Sequence, residues 1–118
     1  MKRDWELIRK ILVQLEEQNT PKSWLYGSDI EGYDREIVVY HYKLLGEAGL
    51  IESKDVSKIG KVDFVAQCLT WQGHEFLDKI RSDTAWNKIK AVLMKKGVDL
   101  SFEAIKVAGT SIIASLLK

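Results

Sequence analysis

The chain has 118 residues, 46% of them hydrophobic and 30% charged, with a formal net charge of +1. Those values describe one ordinary globular domain, with room for an appended element, and exclude a dedicated nonspecific DNA binder with a large basic excess. The single cysteine, Cys68, excludes an internal disulfide and a zinc-ligand cluster, and no apolar stretch follows the amino terminus, where charges begin at Lys2, so no secretory signal is expected and the expected location is cytoplasmic.

The first predicted helix runs from Asp4 to Gln18. Asp4 can cap it, and Trp5, Ile8, Leu12 and Leu15 recur at helical spacing, with Leu7 and Ile11 widening the stripe. Asn19-Thr20-Pro21 stops it, because proline cannot donate the next helical hydrogen bond. From Lys22 to Tyr33, Trp24, Tyr26 and Ile30 fall at even spacing between Gly27 and Gly32, which suggests a short strand and a loop. Such a strand can pair with a later hairpin.

The next helix starts at Asp34 and ends at Ala48-Gly49, where glycine can take the left-handed conformation that closes it. Leu50 then packs back on Leu45. Val38, Tyr42 and Leu45 face inward beside Ile37, His41, Leu44 and Ala48, leaving Arg35, Glu36, Val39, Tyr40, Lys43 and Glu47 outside. Leu50–Lys54 and Val62–Leu69 read as the two strands of a hairpin, joined by a loop carrying Lys58, Gly60 and Lys61. Cys68 alternates with Phe64 and Ala66 and reads as a small core residue.

Thr70 can cap a further helix with Phe76, Leu77 and Ile80 on one side, and Ser82-Asp83-Thr84 can cap another or kink a long one. Trp86, Ile89, Leu93 and Met94 continue the apolar stripe to Gly97. The last helix follows Ser101, and Phe102, Ile105, Ala108, Ile112, Ile113, Leu116 and Leu117 make it apolar enough to need a partner surface. It is too short for a membrane span and carries Glu103 and Lys106 too far in.

Helix, glycine stop, strand, basic loop and strand follow one another as in a winged helix-turn-helix domain. The expected fold class is therefore α+β: a winged domain with a small antiparallel sheet over residues 1–80, and a carboxy-terminal helical extension over 81–118. YHYKLLGEAGLIES (residues 40–53) resembles the third helix and first wing strand of arsenic-repressor-type regulators, and LTWQGHEFLDKI (69–80) resembles their wing-to-helix passage. Taken whole, MKRDWELIRKIL, IEGYDREIVVYHYKLLGEAGLI, LTWQGHEFLDKI and SFEAIKVAGTSIIASLL resemble an uncharacterised family of small proteins of bacteria and their prophages. Regulators of the winged type carry a distinct second helix ahead of the recognition helix. Residues 22–33 do not read as one.

Nucleic-acid binding is the leading expectation, as a transcription-regulatory module on double-stranded DNA. A recognition helix would present Arg35, Val39, Tyr40 and Lys43 to the major groove, Arg35 to guanine and Lys43 to phosphate. Lys54, Lys58 and Lys61 would straddle the backbone from the wing. Against it, residues 34–55 hold three basic side chains and five acidic ones, a local charge of −2. Residues 79–96 are more basic, at +5, and read as a solvated helix exterior. The alternative is a protein–protein adaptor on the same scaffold that touches no nucleic acid.

Enzymatic readings find little support. His41 and His74 lack metal-ligand spacing, and no glycine loop is followed by the lysine and hydroxyl that cradle a phosphate. His41 reads as a satisfied structural histidine, and Trp5, Trp24, Trp71 and Trp86 as core or interface anchors. No catalysis, cofactor or metal is expected. The last helix makes a homodimer through residues 101–118 the expected assembly, with folding back as ordinary core the alternative.

Overall fold

The computed structural model describes residues 1–117. Among them the chain is mixed α+β, with five helices and a two-stranded antiparallel sheet. The order is α1 (Trp5–Glu16), a 3₁₀ turn (Gly27–Asp29), α2 (Arg35–Glu47), β1 (Ile51–Asp55), β2 (Phe64–Leu69), α3 (Trp71–Ile80), α4 (Asp83–Lys95) and α5 (Phe102–Leu116). Two compact units divide the chain inside α3, one covering Met1–His74 and the other beginning at Glu75, ahead of the expected 80/81 boundary. No helix among the described residues is long and apolar enough to cross a membrane.

In the first unit, Asp4 caps α1 by accepting from the amides of Glu6 and Leu7 at 3.0 and 3.1 Å. Leu7, Ile8, Ile11, Leu12 and Leu15 are buried as their spacing predicts, while Trp5 is only half-buried, with the Arg3 guanidinium 5.4 Å from its ring centre. Helix α1 ends at Glu16, before the expected Gln18.

Residues 22–33 hold a correction. Leu25, and neither Trp24 nor Tyr26, faces the core, and it forms an antiparallel bridge to Ala66 through backbone bonds of 2.8 and 3.0 Å. The period-two pattern is present but offset by one residue, because the two large aromatics flank the buried position. Ala66 thus hydrogen-bonds Leu25 and pairs with Ser53 of β1, which extends the sheet by a single bridge. The 3₁₀ turn follows at once, with the Tyr26 amide donating to Asp29 Oδ2 at 2.6 Å. From α1, Lys10 Nζ reaches the Glu31 carbonyl at 3.0 Å and holds the loop beyond.

Helix α2 closes at Gly49, whose φ of 75° requires glycine, with Leu50 N–H donating to the Leu45 carbonyl at 3.0 Å. Leu50 is spent on this stop, so β1 begins one residue later than expected. Tyr42 is fully buried, and its hydroxyl donates to the Tyr26 carbonyl at 2.9 Å. Burial, and secondarily Asp29, push the Tyr42 phenol well above its usual range. His41 is also fully buried. Its Nε2 accepts from the Asp4 amide at 2.9 Å and its Nδ1 lies 2.8 Å from the Ile37 carbonyl. Because a backbone N–H can only donate, the ring proton sits on Nδ1, and both nitrogens are satisfied as the sequence suggested. The side chain clips the start of α1 to α2.

Strand β2 starts at Phe64, not at Val62, and a bulge between Glu52 and Ser53 of β1 faces the extra residue Gln67. The bulge breaks the alternation expected for Cys68, which is half-buried, while Val65, Ala66 and Leu69 are the buried residues. Thr70 caps α3 by accepting from the Gly73 amide at 3.0 Å, and donates to the Gly49 carbonyl at 2.6 Å.

In the second unit, Phe76, Leu77 and Ile80 are buried as expected. Ser82 starts a fresh helix, its Oγ accepting from the Ala85 amide at 3.0 Å, so the helix does not merely kink there. Trp86, Ile89 and Leu93 are buried on α4, but Met94 is 79% exposed and leaves the stripe. Ile105, Ala108 and Gly109 are the buried residues of α5, and Gly109 lies against Ile89 and the stem of Lys79. Of the four tryptophans only Trp86 is core, and Trp71 is 77% exposed.

Candidate nucleic-acid interface

Helix α2 and the β1–β2 hairpin flank a groove of about 440 Å³. Arg35, Glu36, Val39, Tyr40 and Lys43 line it from the helix, Lys61, Val62 and Phe64 from the hairpin, and Met1 from the amino terminus. Five of the seven residues expected to bind nucleic acid therefore share one surface: Arg35, Val39, Tyr40, Lys43 and Lys61. Lys54 and Lys58 do not line it. Lys54 Nζ sits 5.7 Å from the ring centre of Trp24, and exposed Lys58 pairs with Lys61 through two 2.9 Å backbone bonds that close the hairpin around Ile59-Gly60.

Position on the groove does not make every residue available. Val39 is only 3% exposed, which corrects the expectation that it faces outward. The 3₁₀ turn covers it: a methyl built on Gly27 would lie 2.7 Å from Val39 Cγ2 and 2.9 Å from Arg35 Cγ. Helical spacing could not show this, because the covering backbone comes from a segment that makes no full helix.

Arg35 is occupied as well. Its Nη2 lies 2.9 Å from Asp63 Oδ1, with the two side chains 33% and 26% exposed. That nitrogen is shut off from solvent and makes no aligned hydrogen bond, so the contact is one of charge with charge. Tyr40 is half-buried, its ring meeting His41 edge-on at 5.9 Å. Lys43 is exposed, with Glu47 3.7 Å away on the next turn.

Sequence pattern does not single out Asp63, nor the hairpin neck that holds it. The Asp63 amide donates to Ser57 Oγ at 2.9 Å, and its carbonyl accepts from the Val56 amide at 2.9 Å and from Ser57 Oγ at 3.2 Å. The Ser57 amide donates to Asp55 Oδ1 at 2.9 Å. This Asp-x-Ser turn is a local signal that the sequence does carry. Hydrogen bonds from Ser57, helped by the charge of Lys43, hold the Asp55 carboxyl below the usual carboxylate range. A lowered folded pKa means this contribution is present at neutral pH and lost in acid, as pH falls through the folded value.

The groove thus has apolar walls, Val62 and Phe64 opposite Tyr40, and a rim on which Lys43 and Lys61 are the exposed basic side chains. Compared with known proteins, residues 2–99 match a family model described as Hypothetical protein (DUF2513). An uncharacterized protein of Haemophilus influenzae is 49% identical over 117 residues, covering 99% of each chain. No solved structure matches.

Proposed function

Since the chain belongs to the DUF2513 family, we propose that it is a winged-helix module that docks on double-stranded DNA as a regulator of transcription. It works without catalysis in the cytoplasm of a bacterium, as a host or prophage gene product. One observation carries the reading: lysines from two elements, Lys43 on α2 and Lys61 on the hairpin, stand on the rim of a single groove. The Leu25 bridge adds support, because a short strand, a helix and a hairpin in this order are the parts of a winged helix. The 3₁₀ turn takes the place of the second helix, so α2 is supported by a tighter turn than in arsenic-repressor-type regulators.

Phosphate contacts by Lys43 and Lys61 release counterions, so duplex affinity falls as salt rises. The double variant Lys43→Glu, Lys61→Glu is expected to bind a mixed-sequence duplex more weakly, with a log–log salt slope flatter by roughly 0.9 for each phosphate that is no longer neutralised. Fluorescence anisotropy across a sodium chloride series measures both. No binding by the wild-type chain at low salt would sink the reading.

A specific observation favours the second reading, a protein–protein adaptor. Ile59 at the hairpin tip is fully exposed and Val62 is 68% exposed, an apolar end more suited to a protein surface than to phosphates. An adaptor would show no salt-dependent duplex affinity.

A homodimer through α5 belongs to the same proposal. Val107, Thr110, Ala114 and Leu117 are exposed at the spacing of a helix-pairing seam, with Ile113 and Leu116 beside them. Lys118, the end of the expected 101–118 surface, lies outside the described residues. Sedimentation equilibrium on the full chain should give a dimer, and Val107→Glu with Leu117→Glu a monomer. A wild-type monomer at every concentration tested ends the idea.

A further inference from the structure

We propose that Arg35 is an oxyanion site closed by the chain's own carboxylate. Asp63 holds the guanidinium in the free protein, and a nucleic-acid phosphate takes its place on binding. The inference rests on the DNA-binding reading and adds the state of the site before DNA arrives.

The contact is built to exchange. The side chains of the pair are 33% and 26% exposed, so water reaches the pair in part, although Nη2 itself is shut off from it. Nη2 lies 2.9 Å from the carboxylate yet forms no aligned hydrogen bond with it, so the directional part of a guanidinium–oxyanion interaction is unused. A phosphate is free to settle against the planar fork from the groove, which Arg35 lines. Asp63 is fixed only in its backbone, by Ser57 and Val56. Release therefore needs a side-chain rotation and leaves the hairpin neck intact. The Arg35 stem stays seated against Gly27, so the freed charge remains at the groove.

The pair also accounts for the charge of the surface. With Arg35 neutralised, Lys43 and Lys61 are the exposed basic side chains of the groove, which Glu36 also lines. With Asp63 displaced, a third basic side chain joins them at the amino end of α2, where a helix entering a major groove meets the backbone and the base edges.

The test uses the full chain and a fluorescein-labelled mixed-sequence duplex, with anisotropy read across a salt series. Asp63→Asn should bind more tightly at low salt than the wild type, because no carboxylate has to be displaced, while its log–log salt slope stays at the wild-type value, since Arg35 meets the same phosphate in both complexes. Adding Arg35→Gln should cancel the gain and flatten the slope by about 0.9, one phosphate no longer neutralised. Asp63→Glu, which keeps the carboxylate, should bind as the wild type does. Should Asp63→Asn fail to fold, Asp63→Ser carries the same comparison. Wild-type binding with no tightening in Asp63→Asn overturns the clasp and leaves the DNA reading standing, as does an equal gain from Asp63→Asn on the Arg35→Gln background. No duplex binding by the wild type overturns both.

Discussion

Gly73→Ala should destabilise the first unit by about 3 kcal/mol, at the upper end of the usual range for overpacking. Helix propensity alone predicts the opposite sign, since alanine is favoured over glycine by about 1 kcal/mol inside a helix. Tertiary packing decides it. A methyl on Gly73 would land on the Leu50 carbonyl oxygen, and it would also meet Leu69 Cδ2 at 3.4 Å. The obstacle is backbone, and it is held: the Leu50 carbonyl accepts from the Thr70 amide at 3.1 Å, and Thr70 Oγ1 ties the same corner to Gly49 at 2.6 Å. The first turn of α3 therefore cannot take a side chain here without lifting from the start of β1. Thermal unfolding followed by circular dichroism should show a Tm lower by roughly 12 °C. A rise in Tm would mean that the close approach of α3 to β1 is wrong.

His41→Ala should cost about 3 kcal/mol, combining a cavity with the loss of a buried acceptor. The ring is fully buried and bonds elements 37 residues apart in sequence, the Asp4 amide and α2. His41→Leu separates the two contributions, because it refills most of the volume and leaves the Asp4 N–H without its partner. It should cost about 1–3 kcal/mol, the penalty of that orphaned donor. Urea titrations of the three proteins give the comparison. Nitrogen-15 spectra of the ring should also show the neutral tautomer protonated at Nδ1. Equal stability of the wild type and His41→Leu would mean that the Asp4 interaction contributes nothing.

The two residues differ in how visible they are in the sequence. His41 is legible, because a histidine on the inner side of a strongly patterned helix must satisfy both ring nitrogens, although nothing local names Asp4 as the partner. Gly73 is not, because its neighbour is 23 positions away and the helix pattern around it is complete without it. The same division runs through the candidate site. Tyr40, Lys43 and Lys61 can be placed on an outer surface from periodicity and turn chemistry. The burial of Val39 under Gly27 and the capture of Arg35 by Asp63 depend on how the 3₁₀ turn and the hairpin fold against α2. Cys68 shows the limit within a single strand, since one extra residue at Gln67 turns the faces over beyond it.

By itself the sequence determined the helices, the side-chain caps at Asp4, Thr70 and Ser82 (though not at Asp34, whose carboxylate caps no amide of α2), the glycine stop at Gly49 and the existence of the hairpin. These follow from signals spanning a few residues: amphipathic period, side-chain acceptors for free amides, and backbone angles that favour glycine. Tertiary structure alone decided which outward-facing residues stay available, that Leu25 joins Ala66, and that Asp63 sits on Arg35. Each of those is a pairing between distant segments, where a shift of one residue exchanges the exposed and buried faces. No local propensity sets that register; only the packed core does.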